Sequence, residues 1–282
     1  MNSDQYKPSD FSAFKRRMIL RGLLRAETAL RVATGRGDEI SGTDISVFKD
    51  NMRRPFIPGS SFKGLLRAHI ESVIRGICPL GDMRNAACDP LDEDCRCLTA
   101  KEMKELREQF KSDAAALAKA VLGKSCRMCR LFGSPWLASK VLVKDLKLAQ
   151  PESWAERRYE VRTGVGIDRD SETAREGVLY DSQVVAPGTE FEWEILIENA
   201  NPDHEEPLLF LGLREMKSGR LALGGGKSRG LGRFRVTVDA HGSELVQEDN
   251  LVEYLKTGKG AAVIWDELEK KIGNCVLALS QQ

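Results

Sequence analysis

The segment 189–198 constrains the fold most, because apolar and polar side chains alternate along it. Phe191, Trp193, Ile195 and Ile197 occupy every second position, and glutamates occupy most of the positions between them. Successive side chains of a β-strand point to opposite faces of a sheet. The alternation therefore predicts a strand with one buried face and one polar face.

A second pattern predicts an amphipathic helix that begins after Pro58. Ser60 and Ser61 are suitable capping residues at its start. Side chains that suit a buried face then recur every three or four positions. They are Phe62, Leu65, Leu66, His69, Ile70, Val73, Ile74 and Ile77. The other face carries charged residues at steps of four, namely Lys63, Arg67, Glu71 and Arg75.

Further patterns give an order of elements along the chain. Strand patterns cover 16–30 and 140–148, a helix pattern covers 205–217, and a last strand pattern covers 234–238. The order is β, α, β, β, α, β. It favours one α+β domain over 1–282, with a ferredoxin-like or RRM-like sheet enlarged by insertions.

Residues 78–137 form one such insertion, with a cysteine-rich acidic loop followed by a charged helix over 99–122. Cys126 and Cys129 have the Cys-x-x-Cys spacing that lets two thiolates share one zinc ion. We predict a structural Zn²⁺ site with Cys95 as a substitute for one of the upstream ligands. The favoured ligands are Cys88, Cys97, Cys126 and Cys129. The alternative is a set of reduced, partly buried free thiols.

Two segments are suited to phosphate binding. The glycine-rich sequence GGGKSRGLG, residues 224–232, lets backbone N–H groups approach a phosphate closely, and Lys227 and Arg229 add positive charge. The alternative is a flexible glycine turn. Lys63 and Arg67 lie one turn apart near a helix N-terminus, where they could bind successive phosphates or remain on a solvated face.

The overall charge neither supports nor excludes a polyanionic partner. The chain has 43 basic and 42 acidic residues, a net charge of +1, so any polyanion must be bound by local clusters. The first ten residues contain no apolar run, and no segment approaches the roughly 20 apolar residues of a membrane span. We therefore expect a soluble cytoplasmic protein with no membrane partner.

Six segments occur together in one order along the chain. They are SGTDISVFKD, RRPFIPGSSFKGLLR, CRMCRLFGSP, RTGVGIDRDSETAREGVLY, VVAPGTEFEWEI and GGGKSRGLGRFRV. In this order they resemble the RAMP superfamily, specifically the repeated backbone subunit of type III CRISPR RNA-guided complexes. The resemblance implies an RRM-like palm over 15–77 and 138–240 and a thumb hairpin over 157–185. Residues 241–282 would be a C-terminal extension, and the insertion with its zinc knuckle is not shared by all members.

The resemblance also implies site residues and partners. Asp44, which in isolation would be read as a turn former or cap, matches the aspartate that cutting members use with Mg²⁺ or Mn²⁺. The expected partners are a guide CRISPR RNA, a target RNA and other subunits of the complex, including neighbouring backbone subunits. The guide would contact Lys63, Arg67, Gly225, Gly226, Lys227, Ser228 and Arg229.

Three functions are compatible with this family. The favoured one is metal-dependent endonucleolytic cleavage of target RNA paired to the guide, and the alternative is a structural subunit that binds RNA without cutting it. The third function is guide processing, and the superfamily nucleases that process guides commonly use a histidine as the general base. The chain has only three histidines, and no catalytic set can be assembled around them from spacing.

Overall fold

A computed structural model describes residues 11, 13–36, 45–77, 86–154 and 159–280 of the chain. In these residues the largest sheet is antiparallel at every pairing. Its strands are β1 (Arg16–Ala26), β4 (Val141–Val143), β5 (Lys147–Leu148), β8 (Glu190–Glu198), β9 (Phe234–Val238), β10 (Glu244–Gln247) and β11 (Ala261–Ala262). Helices pack on this sheet, which confirms the predicted α+β class.

The pairing of β1 with β8 is the centre of the sheet. Its register runs from Arg17 opposite Glu198 to Arg25 opposite Glu190. The predicted alternation in β8 is confirmed, because its four apolar side chains are buried and Trp193 is only 2% exposed. On the other face, Arg17 pairs with Glu198 across the two strands, with a closest N–O distance of 2.6 Å.

Two helices bury the apolar face of the sheet. They are α1 (Gly59–Ile77) and α5 (Glu206–Lys217). They cross closely at Gly212 of α5, where an added Cβ would lie 2.8 Å from Cδ2 of Leu66. The predicted second helix is therefore present, and its glycine lets it approach α1.

Several predicted boundaries are wrong. The first strand ends at Ala26 and not at residue 30, and the strand predicted over 140–148 is divided into β4 and β5. Between these two strands the chain turns toward α1, where Leu146 N–H donates to the Ile57 carbonyl at 2.8 Å. The Asp145 carboxylate accepts from Gly59 N–H at 2.8 Å, so a distant aspartate caps α1 in place of the predicted serines.

The insertion contains α2 (Ala100–Gln109), α3 (Ala114–Lys124) and α4 (Arg127–Phe132). The single helix predicted over 99–122 is wrong, since the chain turns between α2 and α3. Asp113 interrupts it by capping α3, with its Oδ1 accepting from Ala116 N–H at 2.8 Å. Aspartate favours such a cap over the interior of a helix.

A second sheet was not predicted as a sheet. Its strands follow the order β2 (Ala33–Arg36), β3 (Ile45–Val47), β7 (Ala174–Val185) and β6 (Tyr159–Ile167). β6 and β7 form an antiparallel hairpin within the segment 157–185, and β3 pairs with β7 in parallel. The two short strands therefore attach the hairpin to the chain that precedes α1.

The C-terminal extension completes the first sheet. β10, which lies in the extension, pairs with the first half of β1, and β9, which precedes the extension, pairs with the second half. The extension also contains α6 (Leu251–Thr257) and α7 (Trp265–Ser280), and α7 packs on α5. Among the described residues, no helix combines the length and apolarity that a membrane crossing would require.

Candidate functional site

The structure brings four cysteines of the insertion together. The Sγ atoms of Cys88, Cys97, Cys126 and Cys129 all lie within 4.8 Å of one another, and all four residues are buried. The Sγ atoms of Cys88 and Cys129 are 3.5 Å apart, and those of Cys126 and Cys88 are 3.6 Å apart. Cys95 is exposed and lies outside the cluster. These four are the residues that the sequence favoured as ligands.

The sulfur distances fit a tetrahedral metal ion better than a disulfide. A zinc ion with Zn–S bonds of about 2.3 Å places its sulfurs about 3.8 Å apart, whereas a disulfide needs about 2.05 Å. Cys126 also accepts a hydrogen bond from Cys129 N–H at 3.4 Å, which sets the Cys-x-x-Cys segment at the start of α4. The donor set therefore suits a thiophilic ion such as zinc.

Lys63 faces the start of β4, and Arg67 faces the insertion. Lys63 Nζ donates to Ser139 Oγ at 2.6 Å and to the Val141 carbonyl at 2.8 Å. Burial, with the neighbouring charge of Arg67, lowers the pKa of Lys63. Arg67 donates to the Gly133 carbonyl at 3.0 Å. Their contact with RNA stays a prediction, and in this structure both already have protein acceptors.

A groove lies on the other side of α1. Its volume is about 530 Å³, and small residues of the helix, including Ser61 and Gly64, form one wall. The opposite wall is the glycine loop with Lys227, together with Arg31. Among the described residues, neither of these two cations has an ion-pair partner. Arg31 was missed, because nothing in its sequence neighbourhood distinguishes it.

The glycine loop is held in one conformation by contacts with the chain around Arg31. Gly225 N–H donates to the Arg31 carbonyl at 2.8 Å. Gly224 has a φ of +84°, and an added Cβ there would lie 2.1 Å from the Arg31 oxygen. Only glycine fits this position, so the packing contradicts the alternative of a merely flexible turn.

This packing predicts different costs for two glycine substitutions. Gly230 also has a positive φ, of +80°, but an added Cβ would meet nothing within 4 Å. We expect Gly230→Ala to lower the free energy of unfolding by about 1 kcal/mol, from backbone strain alone, and Gly224→Ala by about 3 kcal/mol. Chemical denaturation measures both. Equal losses would show that the contact between the loop and Arg31 is not tight.

The end of the loop lies near the hairpin. A side-chain N–H of Arg229 donates to the Tyr180 hydroxyl, and the guanidinium carbon is 5.8 Å from the centre of the Tyr180 ring. Ser228 is exposed. Lys227 therefore faces the groove, whereas Arg229 contacts the middle of the hairpin strand β7.

The predicted catalytic residue Asp44 lies outside the described residues. The next residue, Ile45, begins β3 and lines the groove. Asp50, the nearest alternative carboxylate, is part of a turn, where its Oδ1 accepts from the N–H groups of Met52 at 2.9 Å and Arg54 at 2.8 Å. Its Oδ2 accepts from Arg54 Nε at 2.9 Å. These hydrogen bonds give Asp50 a structural role in forming the turn.

Comparison with known proteins gives two matches. A family model described as the RAMP superfamily matches residues 23–235. A protein of Methanocaldococcus jannaschii, named CRISPR system Cms endoribonuclease Csm3, is 26% identical over 229 residues. This alignment covers 78% of the present chain and 79% of that protein. The residues that the family model matches include α1, the cysteine cluster, the groove and the hairpin.

Proposed function

The chain belongs to the RAMP superfamily, and from this premise we propose that it is a guide-RNA-binding backbone subunit of a type III CRISPR effector. The name of the M. jannaschii relative supports the class of complex. The groove carries the proposal, because a glycine loop meets two cations there that have no ion-pair partner among the described residues. The expected partners of the protein are a guide RNA, a target RNA and neighbouring subunits.

In this proposal the first sheet is a ferredoxin-like palm. The neighbours β9, β1, β8 and β4, with α1 and α5 on one face, follow the order expected of that fold. The hairpin β6–β7 would be the thumb, and the second sheet joins it to the palm through β3. The insertion would hold Zn²⁺, which when bound supplies four bonds to thiolates and cross-links the two ends of this segment.

The groove and the adjoining part of the glycine loop are suited to an RNA backbone, because together they offer charge and free N–H groups. Among the described residues, the backbone N–H groups of Gly226, Lys227 and Ser228 donate to no acceptor. Successive free N–H groups in a turn form a concave anion site. Arg31 and Lys227 add charge that no carboxylate of the described part of the chain neutralises. Such contacts recognise phosphate without reading base sequence.

The experiment that tests this proposal removes both groove cations. We expect Arg31→Ala combined with Lys227→Ala to weaken binding of single-stranded RNA of any sequence. The slope of log K against log salt should fall by about 0.7 for each lost phosphate contact. Fluorescence anisotropy of the full-length protein with labelled guide RNA, across a salt series, measures both quantities.

The matched control is Lys104→Ala combined with Lys119→Ala. These two exposed lysines lie on the insertion, away from the groove, and their removal changes the net charge equally. Affinity and salt slope should then remain near those of the wild type. If both double variants lose affinity equally, the effect comes from net charge and the groove is not the RNA site.

We further propose that the protein cuts target RNA paired to its guide, with Asp44 as the catalytic carboxylate. The 2′-hydroxyl of a displaced nucleotide would attack the adjacent phosphate, the bond to the 5′-oxygen would break, and the products would carry a 2′,3′-cyclic phosphate and a 5′-hydroxyl. Asp44 would hold Mg²⁺ or Mn²⁺ or accept the proton of the attacking hydroxyl. Its neighbour Ile45 lines the groove, which supports this position for the reaction.

A further inference from the structure

One charged face of α1 lies against the cysteine cluster. Arg67, Glu71 and Arg75 follow one another at steps of four, so their side chains lie on the same side of the helix. Glu71 contacts both arginines, with N–O distances of 2.7 Å to Arg67 and 3.6 Å to Arg75. Glu71 is 8% exposed, whereas the arginine side chains are 18% and 30% exposed, so the three form a ladder that is buried at its centre.

The two arginines of the ladder reach both halves of the metal-ligand set. Nη2 of Arg67 lies 3.6 Å from Sγ of Cys129, and Nη1 donates to the Gly133 carbonyl in the segment after that cysteine. Arg75 donates to the carbonyls of Ala87 and Cys88, at 2.8 Å each. One helix therefore holds the segments before and after the charged helices of the insertion.

The negative charge of the metal-loaded cysteine cluster explains why an arginine is needed beside Cys129. Four thiolates around one divalent ion have a net charge of −2, and a buried net charge is costly without compensation. The Arg67 guanidinium is the cation in hydrogen-bond reach of a ligand sulfur in the described part of the chain. Its other contacts, to Glu71 and Gly133, leave it little freedom to turn away.

From this geometry we infer that Arg67 is a positioning residue of the metal site. It donates to the Cys129 sulfur, offsets the negative charge of the site, and with Glu71 and Arg75 joins the site to α1. The adjacent face of α1, which includes Gly64 and Ala68, forms a wall of the groove. The metal site therefore supports that wall, although the insertion itself does not line it.

The test measures metal release from the full-length zinc-loaded protein. Arg67→Lys keeps the charge but removes the fork that reaches Glu71, Gly133 and Cys129 together. Loss of an outer contact of this kind typically costs 10–100-fold in metal affinity. We expect zinc transfer to a chromophoric chelator to become at least about tenfold faster. Glu71→Gln, which frees Arg67 while preserving size, should give a smaller change in the same direction.

Arg130→Lys is the matched control. Arg130 also lies in the insertion and donates to the carbonyls of Ser125 and Gly123, at 2.9 and 3.5 Å, without contacting a sulfur atom. It should release zinc at the wild-type rate. If Arg130→Lys and Arg67→Lys release zinc equally fast, general loosening of the insertion explains the result and the inference is overturned.

Cobalt substitution separates a contact to sulfur from a purely structural effect. The thiolate-to-cobalt charge-transfer bands depend on the hydrogen bonding of the sulfur, so Arg67→Lys should shift them and Arg130→Lys should not. Unchanged bands in Arg67→Lys would contradict the inference. A wild-type protein that binds neither zinc nor cobalt would instead refute the proposed metal site, which distinguishes the two failures.

Discussion

Replacing Asp44 with alanine is expected to lower target cleavage by about a thousandfold while leaving guide binding intact. Loss of a catalytic carboxylate removes general base catalysis or a metal ligand, and each contributes several orders of magnitude. The groove contacts assigned to RNA belong to other residues, such as Arg31 and Lys227, so occupancy should not change. The measurement follows cleavage of labelled complementary RNA with Mg²⁺ in the assembled complex, at equal guide and target occupancy.

Asp50→Ala is the control for this variant. It removes a carboxylate only six positions away, but one that accepts hydrogen bonds from Met52 and Arg54 in a turn. It should cost some stability and leave cleavage within a few fold of the wild type. If Asp44→Ala cuts at the wild-type rate with normal occupancy, the catalytic assignment is wrong and the structural-subunit alternative replaces it.

The second large effect is expected from Cys126→Ser. Cys126 Sγ lies 3.6 Å from Cys88 Sγ and accepts from Cys129 N–H, so it belongs to the cluster and to the start of α4 at once. Loss of one thiolate should reduce bound zinc from about one equivalent to almost none. Because zinc binding and folding are coupled, the insertion should lose several kcal/mol of stability.

Cys95→Ser is the matched control, since it makes the same chemical change at an exposed cysteine outside the cluster. Zinc content is measured by elemental analysis, and local stability by hydrogen exchange in the insertion and in β8. Cys126→Ser should raise exchange in the insertion much more than in β8. Equal zinc loss in both variants would show that the cluster is not the binding site.

The elements that sequence predicted well have a strong local period. β8 was predicted from a period of two, and α1 from a period near 3.6, because burial on one face imposes these periods directly. The four favoured cysteines were also predictable. Two of them share the short Cys-x-x-Cys spacing, and the others lie in the same polar segment.

The boundaries that failed depend on contacts between distant residues. Nothing near residue 144 indicates that the strand stops there, because the cause is Asp145 capping α1 and Leu146 pairing with Ile57. The same applies to β2 and β3, which are too short to show a period. They are strands because the long hairpin strand β7 provides an edge for β3.

The candidate site shows the same division. The glycine loop was recognisable from its composition. The other cation of the groove, Arg31, lies almost 200 positions earlier in the chain, and its backbone carbonyl accepts a hydrogen bond from the loop. Lys63 and Arg67 were identified as a charged face of α1. Which surface that face meets is a property of packing, and the structure places Lys63 against the start of β4 and Arg67 against the insertion.

By itself the sequence determined the α+β class, the main strands and helices, the favoured metal ligands and, through the order of its motifs, the family. These depend on periodicity, residue chemistry and spacing, which are local along the chain. Only the tertiary structure decided which groove cations lack an ion-pair partner among the described residues, which arginine reaches a cysteine sulfur, and how the hairpin joins the chain that precedes α1. These depend on pairings between distant segments, which form because together they bury apolar surface and satisfy polar groups.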